Sequence, residues 1–278
     1  MRFQPHPALC CPHDRQPLTV AGASLRCPGG HSFDIASKGY VNLLGAGDRR
    51  SRDPGDSRPM VSARRAFLER GHYAPVADAI QSTLRGRLAP APVVVDAGCG
   101  EGYYLQQLRD GRRQRAETEP VCIGVDISRW AVQAATKRFA ATWLVASNRN
   151  LPLADGSADA VLDIFGFPRF DEFRRIIAPA GLVVCANAGP DHLLELRELL
   201  YDDVAVRDRH PALPEGFACT DRRRLRYRVE ALGQDAIADL LLMTPHMFRA
   251  PRQGRERVAA CPQLAVTVDV TLSVFTAR

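Results

Sequence analysis

Residues 93–104 read VVVDAGCGEGYY, and no other stretch limits the fold of this chain so strongly. Three β-branched valines make a short buried strand. Asp96 stands at its end, and glycines then alternate at 98, 100 and 102. Without Cβ atoms such a loop can turn sharply and let the backbone close on a ligand. The run YYLQQLRDGRR that follows has helical character. A strand passing through a glycine loop into a helix is the opening unit of an α/β sheet, in which ligands bind at the carboxyl ends of the strands.

The chain downstream repeats this rhythm. VCIGVDIS is a second strand, and SRWAVQAATKRFA a helix with Ser128 as its N-cap. TWLVAS and ADAVLDIFGF are a third and a fourth strand. FDEFRRIIAPAG is a helix closed by Gly181, and LVVCANAG a fifth strand. HLLELRELL and QDAIADLLLMT are helices on either side of a basic segment, and LAVTVDVTLSVF alternates as a final antiparallel strand does. Upstream, MVSARRAFLERGHYAPVADAIQSTLRGRL has helical spacing, broken into two helices at GHY.

The glycine spacing selects the cofactor class. A dinucleotide enzyme requires G-x-G-x-x-G with its pyrophosphate on the helix N-terminus. Here the third glycine comes one residue early and position 103 is tyrosine. The pattern resembles the D/E-x-G-x-G-x-G motif of class I S-adenosylmethionine-dependent methyltransferases. That resemblance implies that Gly98, Cys99, Gly100, Glu101 and Gly102 pass beneath the amino-acid part of the cofactor, with Asp96 meeting its ammonium. Asp126, at the end of the second strand, would accept the ribose hydroxyls. SNRNLPLADGSADAV is similar to the segment after the third strand in that class, which places Ser147 and Asn148 beside the adenine. Asp155 and Asp159 are read as turn and capping residues.

Eight cysteines are spread through the chain, but Cys10, Cys11 and Cys27 cluster near the front. CPGGH sets Cys27 and His31 four residues apart across a Pro-Gly-Gly turn, half of a metal site. Together with RSRDPGDS, ARRAFLERGHYAPV, GPDHLLELR and LLMTPHMFRA, this segment resembles the bacterial RlmA family, 23S ribosomal RNA guanine-N1 methyltransferases, over nearly the whole chain. RSRDPGDS is similar to that family's housekeeping branch. The family's zinc ligands follow C-x-x-C and then C-x-x-x-H. Cys27 and His31 match the second half; Cys11 matches the first position, and Asp14 stands where a cysteine is expected. A register using Cys10 and His13 also leaves two residues between, so His13 is the alternative fourth ligand. The zinc would be structural, holding a segment too small for a core of its own and presenting loops to RNA. The resemblance also carries Tyr73 and His192 over as cofactor contacts, and suggests a homodimer.

The implied architecture is a class I methyltransferase: a doubly wound α/β sheet of seven strands, mostly parallel with an antiparallel last strand, behind a small zinc-binding domain. Residues 1–36 form the knuckle, 37–90 a helical linker contributing to the cofactor and RNA sites, and 91–278 the methyltransferase domain. The expected reaction is methyl transfer to N1 of a guanine in a 23S RNA hairpin. A net charge of +6, with basic tracts at GDRRSRD, DGRRQR and TDRRRLRYR, suits a phosphate-backbone partner. Arg49, Arg50, Arg52, Arg64 and Arg65 are candidate phosphate contacts. Phe165 and Phe167 are candidates to stack on an extruded base, and Asp53 and Asp56 to take the N1 proton. No DNA or membrane partner is expected. No apolar run reaches the roughly 18 residues of a membrane span, and the first residues lack a signal-peptide core, so a cytoplasmic location is expected.

Competing functions are a small-molecule methyltransferase of the quinone-precursor type, a dehydrogenase, and a non-catalytic zinc RNA-binding module. The first explains neither knuckle nor basic tracts, the second conflicts with the glycine spacing, and the third with an intact DAGCGEG.

Overall fold

The computed structural model describes residues 3–45, 53–204 and 213–278. The front of the chain forms a three-stranded antiparallel sheet, β1 (Thr19–Ala21), β2 (Ser24–Arg26) and β3 (Ser32–Asp34), and then β4 (Val41–Asn42). Two helices follow, α1 (Arg58–Glu69) and α2 (Ala74–Leu84), each with a proline in its first turn. That proline is pre-organised for a helix start. The break between them falls at Gly71-His72-Tyr73, where Gly71 takes φ +81°.

The βα units are β5 (Val93–Ala97), α3 (Tyr103–Gln114), β6 (Val121–Asp126), α4 (Arg129–Ala135), β7 (Thr142–Val145), β8 (Ala158–Ile164), α5 (Phe170–Ile176) and β9 (Ile177–Ala188). The Ser128 side chain caps α4 by accepting from Ala131 N at 3.2 Å. After β9 come α6 (Leu194–Leu200), β10 (Phe217–Gly233), α7 (Gln234–Leu242), α8 (His246–Arg249), α9 (Arg252–Ala260) and β11 (Gln263–Ala277).

The main sheet runs β10-β11-β9-β8-β5-β6-β7-β4. β11 is antiparallel to both β9 and β10, and the other pairings are parallel. Sequence reading expects seven strands. The eighth is β4, two residues from the front of the chain added beside β7. Two further details differ from expectation. Gly181 lies inside β9 rather than at a helix end: α5 stops at Ile176 and the strand begins at once. The basic segment TDRRRLRYR is part of β10, an edge strand whose arginines alternate to solvent while Leu225, Tyr227 and Val229 face inward.

The chain order reverses between β5 and β8, so the crevice at their carboxyl ends is the switch point where α/β sheets hold ligands. The two faces are covered differently. Helices α1, α2, α3, α4, α6 and α7 pack on one, against Val94, Leu162 and Val184. On the other, α5 shares the cover with the front of the chain: Phe3, Leu9, Cys11, Leu18 and Leu25 are buried with Val95, Val125, Leu144 and Val183. No helix among the described residues is long and apolar enough to cross a membrane.

Candidate functional site

The glycine loop folds back onto the end of β6. Gly98 N and Cys99 N both donate to Val125 O, at 2.8 and 3.0 Å, and Gly102 N closes a turn on Cys99 O at 2.9 Å. Gly102 takes φ +83°, and a Cβ there would lie 2.8 Å from the Trp143 ring, so both space and conformation demand glycine. Asp126 locks the loop from the side: Oδ2 accepts from Gly100 N at 2.9 Å and Oδ1 from Ser128 N at 2.8 Å.

Two adjoining cavities open above this loop, of about 670 Å³ and 380 Å³. They share Arg64, Gly98, Gly100, Ile164, Phe165 and Gly166 as common wall. The larger is lined by Asp126, Ile127, Ser147 and Asn148, the smaller by Tyr73, Cys99, Glu101 and His192. Asp96 and Gly102 sit behind the lining. Asp96 is 1% exposed, and neither carboxylate oxygen has a hydrogen-bond partner among the described residues. Burial, then the neighbouring Asp163 and Asp126, push its carboxyl well above the usual range. Such a buried carboxyl without a partner stays neutral unless a cation comes beside it. Glu101 is committed elsewhere, to an ion pair with buried Arg138.

Tyr73 and His192 meet across the smaller cavity, Oη to Nε2 at 3.2 Å. Asp269 N donates to His192 Nδ1 at 3.3 Å. Burial lowers the His192 pKa to about 4, so the ring is neutral and Nε2 carries the proton. Phe165, at φ +54°, packs on both rings, with centroids 5.9 Å from Tyr73 and 5.4 Å from His192.

The other expected residues divide. Arg64 is expected among the phosphate contacts. Instead it lines both cavities, held by Asp56 at 2.6 Å and Met243 O at 3.1 Å. Arg65 pairs with Glu69 one helical turn on. Arg49, Arg50 and Arg52 lie outside the described residues. Asp53 accepts from Trp130 Nε1 at 2.8 Å, whereas Asp56 lines the larger cavity. Phe167 also lines it and is 85% exposed. Asp159 accepts from Val93 N and Asp155 pairs with Arg175, both structural uses. Much of the expected basic surface is spent internally: Arg112 and Arg115 pair with Glu117, and Arg224 with Asp269 and Asp191. His246, which also lines the smaller cavity, lies in the LLMTPHMFRA stretch but is not singled out there as a site residue.

At the front of the chain, ligand atoms of Cys11, Asp14, Cys27 and His31 all lie within 4.8 Å of one another. His31 Nδ1 is 3.5 Å from Cys11 Sγ, 3.3 Å from Cys27 Sγ and 3.1 Å from Asp14 Oδ2. Tetrahedral zinc with bonds of about 2.0–2.3 Å spaces its ligands by about 3.3–3.8 Å, so the group fits that ion. His13 stands beside the group, its ring 4.8 Å from that of His31.

Comparison with known proteins follows the same two regions. The family model described as RlmA, N-terminal, matches residues 9–52, and one described as a methyltransferase domain matches residues 94–181. A Streptomyces fradiae protein named 23S rRNA (guanine(748)-N(1))-methyltransferase is 34% identical, over 96% of this chain and 95% of its own length. The chain belongs to the RlmA family. A second relative, YxjB of Bacillus subtilis (strain 168), provisionally named a 23S rRNA (guanine-N(1)-)-methyltransferase, is 32% identical over 92% of both chains. By contrast, malonyl-[acyl-carrier protein] O-methyltransferase 1 of Coxiella burnetii matches 39% of this chain at 31% identity. As an RlmA-family chain, this protein is an S-adenosylmethionine-dependent methyltransferase of class I fold that carries a zinc ribbon, and its Cys/Asp/His cluster fits a structural zinc.

Proposed function

We propose that the chain methylates N1 of a guanine in a hairpin of 23S ribosomal RNA. The observation that carries this reading is the zinc ribbon and the cofactor crevice together in one chain, matched along nearly its whole length by named rRNA guanine-N1 methyltransferases. Bound S-adenosylmethionine supplies an electrophilic methyl group on its sulfonium. In this reading Asp96 accepts from the ammonium, and Gly98 to Gly102 run beneath the amino-acid part. Asp126 accepts the ribose hydroxyls with its remaining lone pairs, and Ser147 and Asn148 flank the adenine. Tyr73 is held by the His192 Nε2 proton, so its own hydroxyl proton is free to point at the ligand. Cys11, Asp14, Cys27 and His31 hold the zinc.

Guanine N1 bears a proton and is covered when the base is paired, so the base must be extruded or taken from a loop. Exposed Phe167 offers a face on which an extruded base stacks. Arg149 and Arg169, which line the same cavity, are placed to meet phosphate. Asp56, paired with Arg64 through Oδ2, is in this reading the wall carboxylate that takes the N1 proton, directly or through water. The working parts in this reading are the knuckle to residue 36, a linker to residue 90 that brings Asp56, Arg64 and Tyr73 to the crevice, and the catalytic sheet after it. A cytoplasmic homodimer acting on RNA and not on DNA completes the reading, on the strength of the family resemblance.

The test is methylation of 23S RNA that lacks this methyl group. The product should be N1-methylguanine by mass spectrometry, and should stop reverse transcriptase in one hairpin. A protein that ignores this RNA and methylates a quinone precursor would establish the small-molecule alternative instead.

A further inference from the structure

Between the end of β7 and the start of β8 the chain crosses residues 146–157 without helix or strand. Connections this long are usually mobile unless something outside them holds them. Here the first half of the connection is cavity wall, since Ser147, Asn148 and Arg149 line the larger cavity. The second half is fastened to the metal-ligand segment at the front of the chain.

The fastening is dense. Leu9 bridges Leu153, Cys10 N donates to Pro152 O at 2.9 Å, and Ala154 N donates to Ala8 O at 2.8 Å. Asn150 Nδ2 donates to Pro12 O at 3.1 Å, inside the Cys11–Asp14 ligand turn. Arg15 follows that turn directly. It sits at φ +62°, in the left-handed region, with its N–H on Cys11 O at 3.0 Å. This strained position aims its guanidinium at Leu151 O, at 2.9 Å, and beside Glu172. Glu172 in turn accepts from Leu151 N at 2.7 Å. The hold passes on by one short turn: Asn150 N donates to Ser147 O at 3.1 Å, and Arg149 N to Ser147 Oγ at 3.2 Å. Two hydrogen-bonded links thus separate the ligand turn from the cavity wall.

We propose that the metal-bound knuckle sets the adenine-side wall of the cofactor cavity, with Asn150 and Arg15 as positioning residues, so that zinc occupancy governs cofactor affinity. The inference rests on the reading of the larger cavity as the adenosine site. The ligand turn itself, residues 12–14, stands partly or fully exposed, outside the core that Leu9, Leu18 and Leu25 join, so the ion fixes its shape. Losing the ion therefore loosens Pro12 O and Arg15, and with them the turn at 147–150, while Arg175 keeps its own hold on Leu151 O and Leu153 O.

The test is calorimetric binding of S-adenosylhomocysteine to zinc-loaded wild type, zinc-loaded Asn150→Ala and Cys27→Ser, with zinc content and circular dichroism measured on each. Asn150→Ala should keep one zinc and bind about tenfold more weakly, the size of one lost hydrogen bond. Cys27→Ser should lose zinc and weaken at least as much. Both should discriminate less than wild type against S-inosylhomocysteine, which differs only in the base. Folded variants that bind like wild type would overturn the coupling and leave the cavity reading intact. So would a drop in thermal midpoint with base discrimination unchanged. If Cys27→Ser does not fold, Asn150→Ala decides by the same criteria. A wild-type protein that binds no S-adenosylhomocysteine overturns the cavity reading itself, a separate failure visible before any variant is made.

Discussion

The Tyr73 hydroxyl and His192 Nε2 stand 3.2 Å apart, and the Asp269 amide on Nδ1 fixes which of the two donates. Because the ring proton is on Nε2, Tyr73 is the acceptor. Tyr73→Phe leaves that buried N–H without a partner, a cost of about 1–3 kcal/mol. The variant should lose stability of that order in denaturant titration, and should bind S-adenosylmethionine several-fold more weakly by calorimetry.

The same pair makes stability depend on acidity. Burial lowers the His192 pKa to about 4 in the folded state, against about 6.5 for a free histidine. The unfolded chain therefore takes up a proton that the folded one refuses, and stability falls as pH drops from about 6.5 toward about 4. Above that window the contribution is fully present. His192→Asn should flatten this loss when denaturation midpoints at pH 7 and pH 5 are compared.

Asp126 has two tasks, holding Gly100 and Ser128 through their amides and facing the larger cavity. Asp126→Ala should weaken S-adenosylmethionine binding by about tenfold or more, from loss of charge-assisted hydrogen bonds. Calorimetry with unchanged affinity would remove Asp126 from the cofactor site.

Gly29 leaves room for Asp14: a Cβ at 29 would collide with the Asp14 carboxylate oxygen that faces Cys27 and His31. Gly29→Ala should therefore speed release of zinc to a chelator. Asp14→Cys should slow it, since it adds a thiolate. Elemental analysis of the untreated proteins should find about one zinc per chain in wild type and in Asp14→Cys.

Phe167 is 85% exposed and has little burial to lose, so Phe167→Ala should leave the thermal midpoint unchanged. A stacked base contributes about 1–3 kcal/mol, so the rate on RNA at low substrate should fall by about tenfold or more. An unchanged rate would show that the base stacks elsewhere.

The parts of this molecule that obey local periodicity were legible in its sequence. The valines of β5, the alternation of β11 and the capping serine of α4 each follow from spacing and residue type. The strand β10 was not legible as one, because an edge strand buries a single face and its other positions are arginines. Nor was Arg64 as a cavity residue, since its partners Asp56 and Met243 O lie 8 and 179 positions away. Nor was the docking of the knuckle, because Asn150 and Arg15 reach backbone carbonyls, Pro12 O and Leu151 O, that lie 138 and 136 positions away.

That docking has a consequence for how the polypeptide is made. Phe3 pairs with Ala141 and Leu9 with Leu153, so these residues leave the ribosome well before their partners, translated 138 and 144 positions later. Until then Phe3, Leu9 and Leu18 have no surface to cover. Contacts of such long sequence separation form late and slowly. The order of synthesis thus runs opposite to the order of seating: a segment made before β5 to β7 settles beneath them only after they are in place.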